Sequence, residues 1–187
     1  SILDNTIIIE TEGARVGCIN GLAVYGNDYY AFGKPVRISA TVALGAGSII
    51  NVEREAGLSG KIHDKGMLII TGFFREAFGK FFPLTFTSNI VFEQSYGQID
   101  GDSASAAEVF ALLSAITDVP IYQNIAVTGS VNQKGDIQPI GGVNEKIEGF
   151  FDICNARKLT KNQGVIIPRQ NVNDLMLRPD IQEAVRK

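Results

Sequence analysis

IDGDSASAAEVFALLSAITDVP, residues 99–120, joins a polar opening to an apolar run, and the junction between them organises the reading of the whole chain. Wound at 3.6 residues per turn, Ala104, Ala107, Val109, Phe110, Ala111, Leu112, Leu113 and Ile116 cover almost the full circumference of a helix. Only Ser105, Glu108 and Ser114 interrupt them. A helix that is apolar all round is a buried central element, here running from about Ala104 to Thr117 and broken by Pro120. Ahead of it lie two carboxylates and two hydroxyls, Asp100, Asp102, Ser103 and Ser105. Ser105 and Glu108 have the S-x-x-E spacing of a capping box, with Ser105 as the N-cap. On that reading Ser103 is the hydroxyl that capping does not use. It stands free to act as a nucleophile, with N–H groups at the helix start available to an oxyanion.

Outward from this helix, the first half of the chain is rich in short β runs punctuated by glycine: RVGCINGLAVYG (15–26), PVRISATVALG (35–45) and LTFTSNIVFE (84–93). Val36, Ile38, Ala40 and Val42 alternate with Arg37, Ser39 and Thr41, the period of a half-buried strand. KGMLIITGFFREAFGKFF (65–82) has the three- and four-residue apolar spacing of a helix, with a weak point at Gly72. After the central helix come a strand in NIAVTGSV, a helix from Val143 to about Lys158, a short strand in GVIIP and a terminal helix in DIQEAVRK. This order predicts an α/β domain of the α+β type, with helices packed on a mixed sheet. The 187 residues suit a single domain spanning 1–187 with a sizeable core.

Composition narrows the function. A formal charge of −3 argues against nucleic acid as the main partner, because such binders carry a basic face. Two cysteines far apart, Cys18 and Cys154, form no disulfide framework, and one histidine with no Cys/His cluster argues against a zinc site. No apolar run reaches the roughly 18–20 residues of a membrane helix. A soluble, intracellular setting is expected, and an opening Ser-Ile without Met suggests a piece of a larger protein.

A serine nucleophile needs a base. The one histidine, His63, lies in GKIHDKG (60–66), which reads as a charged loop before a helix, so a surface or turn role is expected for it. Lysine is the remaining base, since a neutral amine can deprotonate serine and Ser-Lys pairs are a variant of the triad arrangement. Such a lysine must sit in apolar surroundings that disfavour the ammonium. In PIGGVNEKIEGFFDICNARK (139–158), Val143, Ile147, Phe150, Phe151 and Cys154 form one apolar face. Lys146 lies about 85° from its centre at 100° per residue, bordering the core. It is either a snorkelling lysine covering apolar surface or the base. Gly141-Gly142 before it permit close backbone approach.

A phosphate-binding reading of the serine-rich helix start is weakened by Asp100 and Asp102, which would repel an anion. No G-x-x-x-x-G-K-[ST] occurs: Gly72 and Gly79-Lys80 have the wrong spacing and Phe81 follows.

DGDSASAAE (100–108) followed by TGSVNQKGDIQPIGGVNEKIEG (128–149) resembles the proteolytic domain of ATP-dependent Lon proteases, in particular the archaeal, membrane-associated type. SGKIHDKG (59–66) and FEQSYG (92–97) agree with that type, and the resemblance spans about residues 13–170. It implies the Lon protease domain fold, which is ribosomal protein S5 domain 2-like. By position it implies Ser103 as nucleophile and Lys146 as general base, with Asp100 and Thr128 as supporting residues. NIVFEQSY (89–96) lacks the histidines of the family's bacterial branch, which argues against a histidine-assisted site. The resemblance further implies unfolded protein or peptide substrates, a hexameric ring in the full-length protein and an ATPase module. ATP and Mg2+ would serve that module, and the proteolytic domain would need no cofactor, metal or nucleic acid. A cytoplasmic location follows, with any tether to the cytoplasmic face of the membrane lying outside this segment. The expected activity is serine endopeptidase. The alternative is a catalytically inactive peptide-binding or assembly module on the same scaffold.

Overall fold

The computed structural model describes residues 2, 6–27, 29–80 and 83–186. In chain order they form β1 (Ala14–Arg15), β2 (Cys18–Asn27), β3 (Tyr30–Leu44), β4 (Ser48–Asn51), α1 (Val52–Glu55), α2 (Lys61–Gly79) and β5 (Phe86–Phe92). Then follow α3 (Ser105–Thr117), β6 (Ile121–Tyr122), β7 (Ile125–Val127), β8 (Ser130–Val131), β9 (Ile137–Gln138), α4 (Val143–Arg157), β10 (Gly164–Ile166) and α5 (Pro179–Arg186), with a 3-10 turn at Arg169–Asp174. The predicted α/β architecture is the observed one.

Six strands make one mixed sheet in the order β10-β7-β2-β3-β5-β4. The long β2–β3 hairpin and the β3–β5 pair are antiparallel, while β10–β7, β7–β2 and β4–β5 are parallel. Strand alternation assigns the two faces. Ile19, Val36, Ile38, Ala40 and Ile90 turn to one side, where they meet Met67, Ile70 and Phe74 of α2 and Ala107, Ala111 and Leu112 of α3. Leu22 and Ala126 turn to the other side and meet Phe150 and Cys154 of α4. Burying one such large side chain fully contributes about 1.5–3 kcal/mol, so both faces are firmly covered. Helix α3, which Ser103 precedes by two residues, and helix α4, which carries Lys146, therefore lie on opposite faces of the sheet.

Three expectations need correction. Helix α2 begins at Lys61, four residues before the predicted start at Lys65, so His63 sits in its first turn and is 2% exposed. The cause is a cap distant in sequence: Asp100 Oδ1 accepts the N–H groups of Ile62 and His63 at 3.1 and 3.2 Å. The far end of that predicted helix, residues 81–82, lies outside the described residues. The capping box does not form either. Ala104 is the N-cap without a side-chain bond, and the Ser105 hydroxyl donates to the Asp102 carbonyl at 2.7 Å. Glu108, one turn on, is drawn into the core. Finally, α3 is not covered all round, because Phe110 and Ile116 are exposed on its outer side.

Candidate active site

Ser103 sits in the turn before α3, and the chain stitches that turn to the link between β7 and β8. The Ser103 carbonyl accepts from Gly129 N–H at 2.8 Å and from the Thr128 hydroxyl at 3.1 Å, and Ala106 N–H donates to the Gly129 carbonyl at 3.0 Å. Thr128 is itself fixed by its N–H, which donates to Ile166 on β10 at 3.0 Å. A short β-like clamp thus sets the serine beside the end of β7.

Lys146 arrives from the opposite face. Its helix starts at Gly142, whose φ of +67° suits glycine and few other residues. The helix is pressed onto the β2–β3 hairpin at Gly33, where an added Cβ would come 1.8 Å from Glu145 O and 2.7 Å from Lys146 Cα. Only a glycine strand position allows so close an approach. The lysine stem then reaches past the sheet. Its Nζ lies 2.9 Å from Ser103 Oγ and 3.3 Å from Thr128 Oγ1. Thr128 donates its own proton to Ser103 O, which leaves its lone pairs to accept from the amine.

Lys146 is 2% exposed, so it buries its head group and does not snorkel. Burial pushes its pKa down to about 8, against the pull of the Asp102 and Glu145 carboxylates. Holding the ammonium there costs about 3 kcal/mol. An amine of this kind is a base that is partly neutral near physiological pH. Over the same 2.9 Å, the charged form donates to Ser103 Oγ and the neutral form accepts its proton.

Asp100 takes a different place from the dyad. Hydrogen bonds from the backbone N–H groups of Gly101, His63 and Ile62 hold its carboxyl below the usual range. It caps α2 and makes no hydrogen bond to Lys146 among those described. Behind it is a group of buried ionisable side chains that sequence reasoning missed. His63 Nε2 faces Glu108 Oε1 at 3.7 Å, beyond hydrogen-bond distance, and Glu53 lies nearby with Oε1 accepting from Phe92 N–H at 3.0 Å. Burial, then the charge of Glu53, pushes Glu108 up to about 8, and burial lowers the His63 pKa. Near pH 7 the pair is therefore a neutral acid beside a neutral imidazole, not a salt bridge. The sequence signal for it was the polar interruption at Glu108 on an otherwise apolar helix.

Asp102 and Ser130, also missed, meet next to the dyad, with Ser130 Oγ donating to Asp102 Oδ2 at 2.9 Å. Asn171, in the 3-10 turn, pairs with both backbone groups of Ile140 at 2.9 Å and so fixes the loop that leads into α4. Beside Thr128 opens a cleft of about 310 Å³, lined by Ala106, Phe110, Val127, Ile137, Ile166 and Pro168. No group of three or more His, Cys, Asp or Glu side chains that could hold a metal ion occurs among the described residues. Nor is any described helix long and apolar enough to cross a membrane.

Residues 92–187 match the family described as the Lon protease (S16) C-terminal proteolytic domain. The chain is 50% identical over its full length to a Lon protease homolog of Escherichia coli (strain K12), covering 32% of that protein. It is 48% identical over 99% of its length to a Lon protease homolog of Haemophilus influenzae, covering 31% of it. An archaeal Lon protease of Thermoplasma volcanium is 36% identical over 89% of the chain, with 25% of that protein covered. The chain spans about a third of the length of the first two relatives.

Proposed function

Because the chain belongs to the Lon protease (S16) family of proteolytic domains, we propose that it is a serine endopeptidase domain working through a Ser103–Lys146 dyad. The observation that carries this reading is the buried Lys146 amine 2.9 Å from the Ser103 hydroxyl. Neutral Lys146 takes the Ser103 proton as Oγ bonds to the carbonyl carbon of a peptide. The C–N bond then breaks, with the lysine's proton passing to the leaving amine. Water, deprotonated by the same amine, attacks the acyl-enzyme, and the proton returns to Ser103. Thr128 holds the amine toward the serine. Ser105 and Ala106 N–H groups are engaged by Asp102 and Gly129 carbonyls, and Gly101 N–H by the Asp100 carboxylate, which leaves the amides of residues 102–104 to meet the oxyanion. That interaction is worth about 2.7–4 kcal/mol in comparable sites.

On this reading the whole domain, residues 1–187, is the peptidase part of a longer protein, and it works without a cofactor. Its substrates are polypeptides already unfolded, laid along the apolar cleft beside Thr128. The ATPase that unfolds and threads them, with its ATP and Mg2+, belongs to the rest of the polypeptide, as does any membrane tether. A hexameric ring and a cytoplasmic site of action complete the proposal. The test is Ser103→Ala in the full-length protein, with an unfolded protein substrate and ATP. Cleavage should be abolished while the thermal midpoint stays at the wild-type value. Wild-type cleavage by that variant would overturn the dyad, and a wild-type protein that binds the substrate without cutting it would favour a binding module.

A further inference from the structure

Asp102 stands immediately before the serine, yet its carboxylate makes no described hydrogen bond to the nearby Lys146 amine. It is held elsewhere. Ser130, at the start of β8 and 4% exposed, donates its hydroxyl proton to Asp102 Oδ2 at 2.9 Å. The Gln138 amide oxygen, at 3.4 Å, is the weaker alternative acceptor. The Asp102 main chain is locked as well: its carbonyl accepts both the N–H and the hydroxyl of Ser105, at 3.0 and 2.7 Å. On its third side α2 approaches so closely that a Cβ on Gly66 would lie 3.3 Å from Asp102 Cβ.

We propose that Ser130 is a positioning residue of this site: by holding the Asp102 carboxylate, it keeps that charge from closing onto the Lys146 amine, which stays directed at Ser103. The inference rests on the dyad reading. Two carboxylates bear on Lys146: Asp102 from the turn before α3, and Glu145 from its own helix. The other elements present uncharged groups to it, namely the hydroxyls of Ser103 and Thr128 and the Gly33 backbone on β3. Glu145 precedes Lys146 directly on the helix, where the two side chains diverge. Asp102 is the charge able to swing. Released from Ser130, its strongest available partner is the buried ammonium, because a charge-assisted bond outcompetes a neutral one. A direct Asp102–Lys146 pair would favour the charged lysine and draw Nζ off the serine.

The experiment is the pH dependence of peptide cleavage by the full-length protein, comparing wild type with Ser130→Ala, Ser130→Cys, Ser130→Thr and Ser130→Ala/Asp102→Asn. Ser130→Ala should shift the rising limb upward by about one pH unit, which is about a tenfold loss at pH 7 with recovery at high pH. Ser130→Cys fills the same space with a weak donor and should behave like Ser130→Ala, even where the alanine variant folds poorly. Ser130→Thr keeps the hydroxyl and should restore the wild-type limb. Removing the Asp102 charge in the double variant should bring the limb back below that of Ser130→Ala. A limb unmoved by Ser130→Ala and Ser130→Cys in an active protease overturns the role of Ser130, as does an equal loss of rate at every pH. A wild-type protein without hydrolytic activity would instead overturn the dyad itself.

Discussion

Glu108→Gln tests the buried acid behind the active site. Glu108 is 1% exposed, and its pKa is about 8 against an ordinary value of 4.5. The folded protein therefore holds a proton on Glu108 between about pH 4.5 and 8 that the unfolded chain releases. In that window the folded state binds more protons, so stability falls as pH rises. Integrated from pH 5 to pH 8, a single group of this kind removes about 3–4 kcal/mol. In a domain of this size, that corresponds to roughly 10 °C of thermal midpoint. Glutamine keeps the shape and cannot ionise. Thermal unfolding of this chain followed by circular dichroism at pH 5, 6, 7 and 8 should show the wild-type midpoint dropping steeply. The Glu108→Gln midpoint should drop by roughly 10 °C less over the same range. Glu53, whose pKa burial also raises, keeps a share of the slope in both proteins. Parallel curves for the two proteins would refute the reasoning, because they would mean that Glu108 ionises in the folded state as readily as in the unfolded chain.

Two further outcomes follow from the same structure. Peptide cleavage should rise with pH and level off above about 8, because the lowered pKa of Lys146 makes the neutral base accumulate through that value. At pH 7.5 about a quarter of the amines are neutral, against about one in a thousand for an ordinary lysine; a profile flat from pH 6 to 10 would contradict the lysine as base. Gly33→Ala should destabilise the chain by about 3 kcal/mol and cut cleavage sharply, since the new methyl group falls on Glu145 O and the Lys146 backbone. Chemical denaturation alongside a peptide assay checks both effects, and a stable, fully active variant would show that α4 can move away from β3 without consequence.

Residue pattern alone carried the elements that have a clear period. The alternation at residues 36–42 became part of β3, and the apolar run after Ser105 became α3, because side-chain spacing is a local property. The DGDSASAAE and PIGGVNEK motifs pointed to Ser103 and Lys146 through their resemblance to the Lon family, before any geometry was known. The tertiary structure decided what depends on residues far apart in sequence. Asp100, 37 residues from His63, caps α2 and so turned an expected surface loop into the first turn of a buried helix. The close approach at Gly33 and the clamp between Ser103 and Gly129 bring Lys146 of α4 and the turn before α3, from opposite faces of the sheet, within a hydrogen bond of each other. Desolvation is the last part. Periodicity could place Lys146 at the border of an apolar face, but its pKa is set by what covers the amine from every side. Only the packed fold supplies that cover.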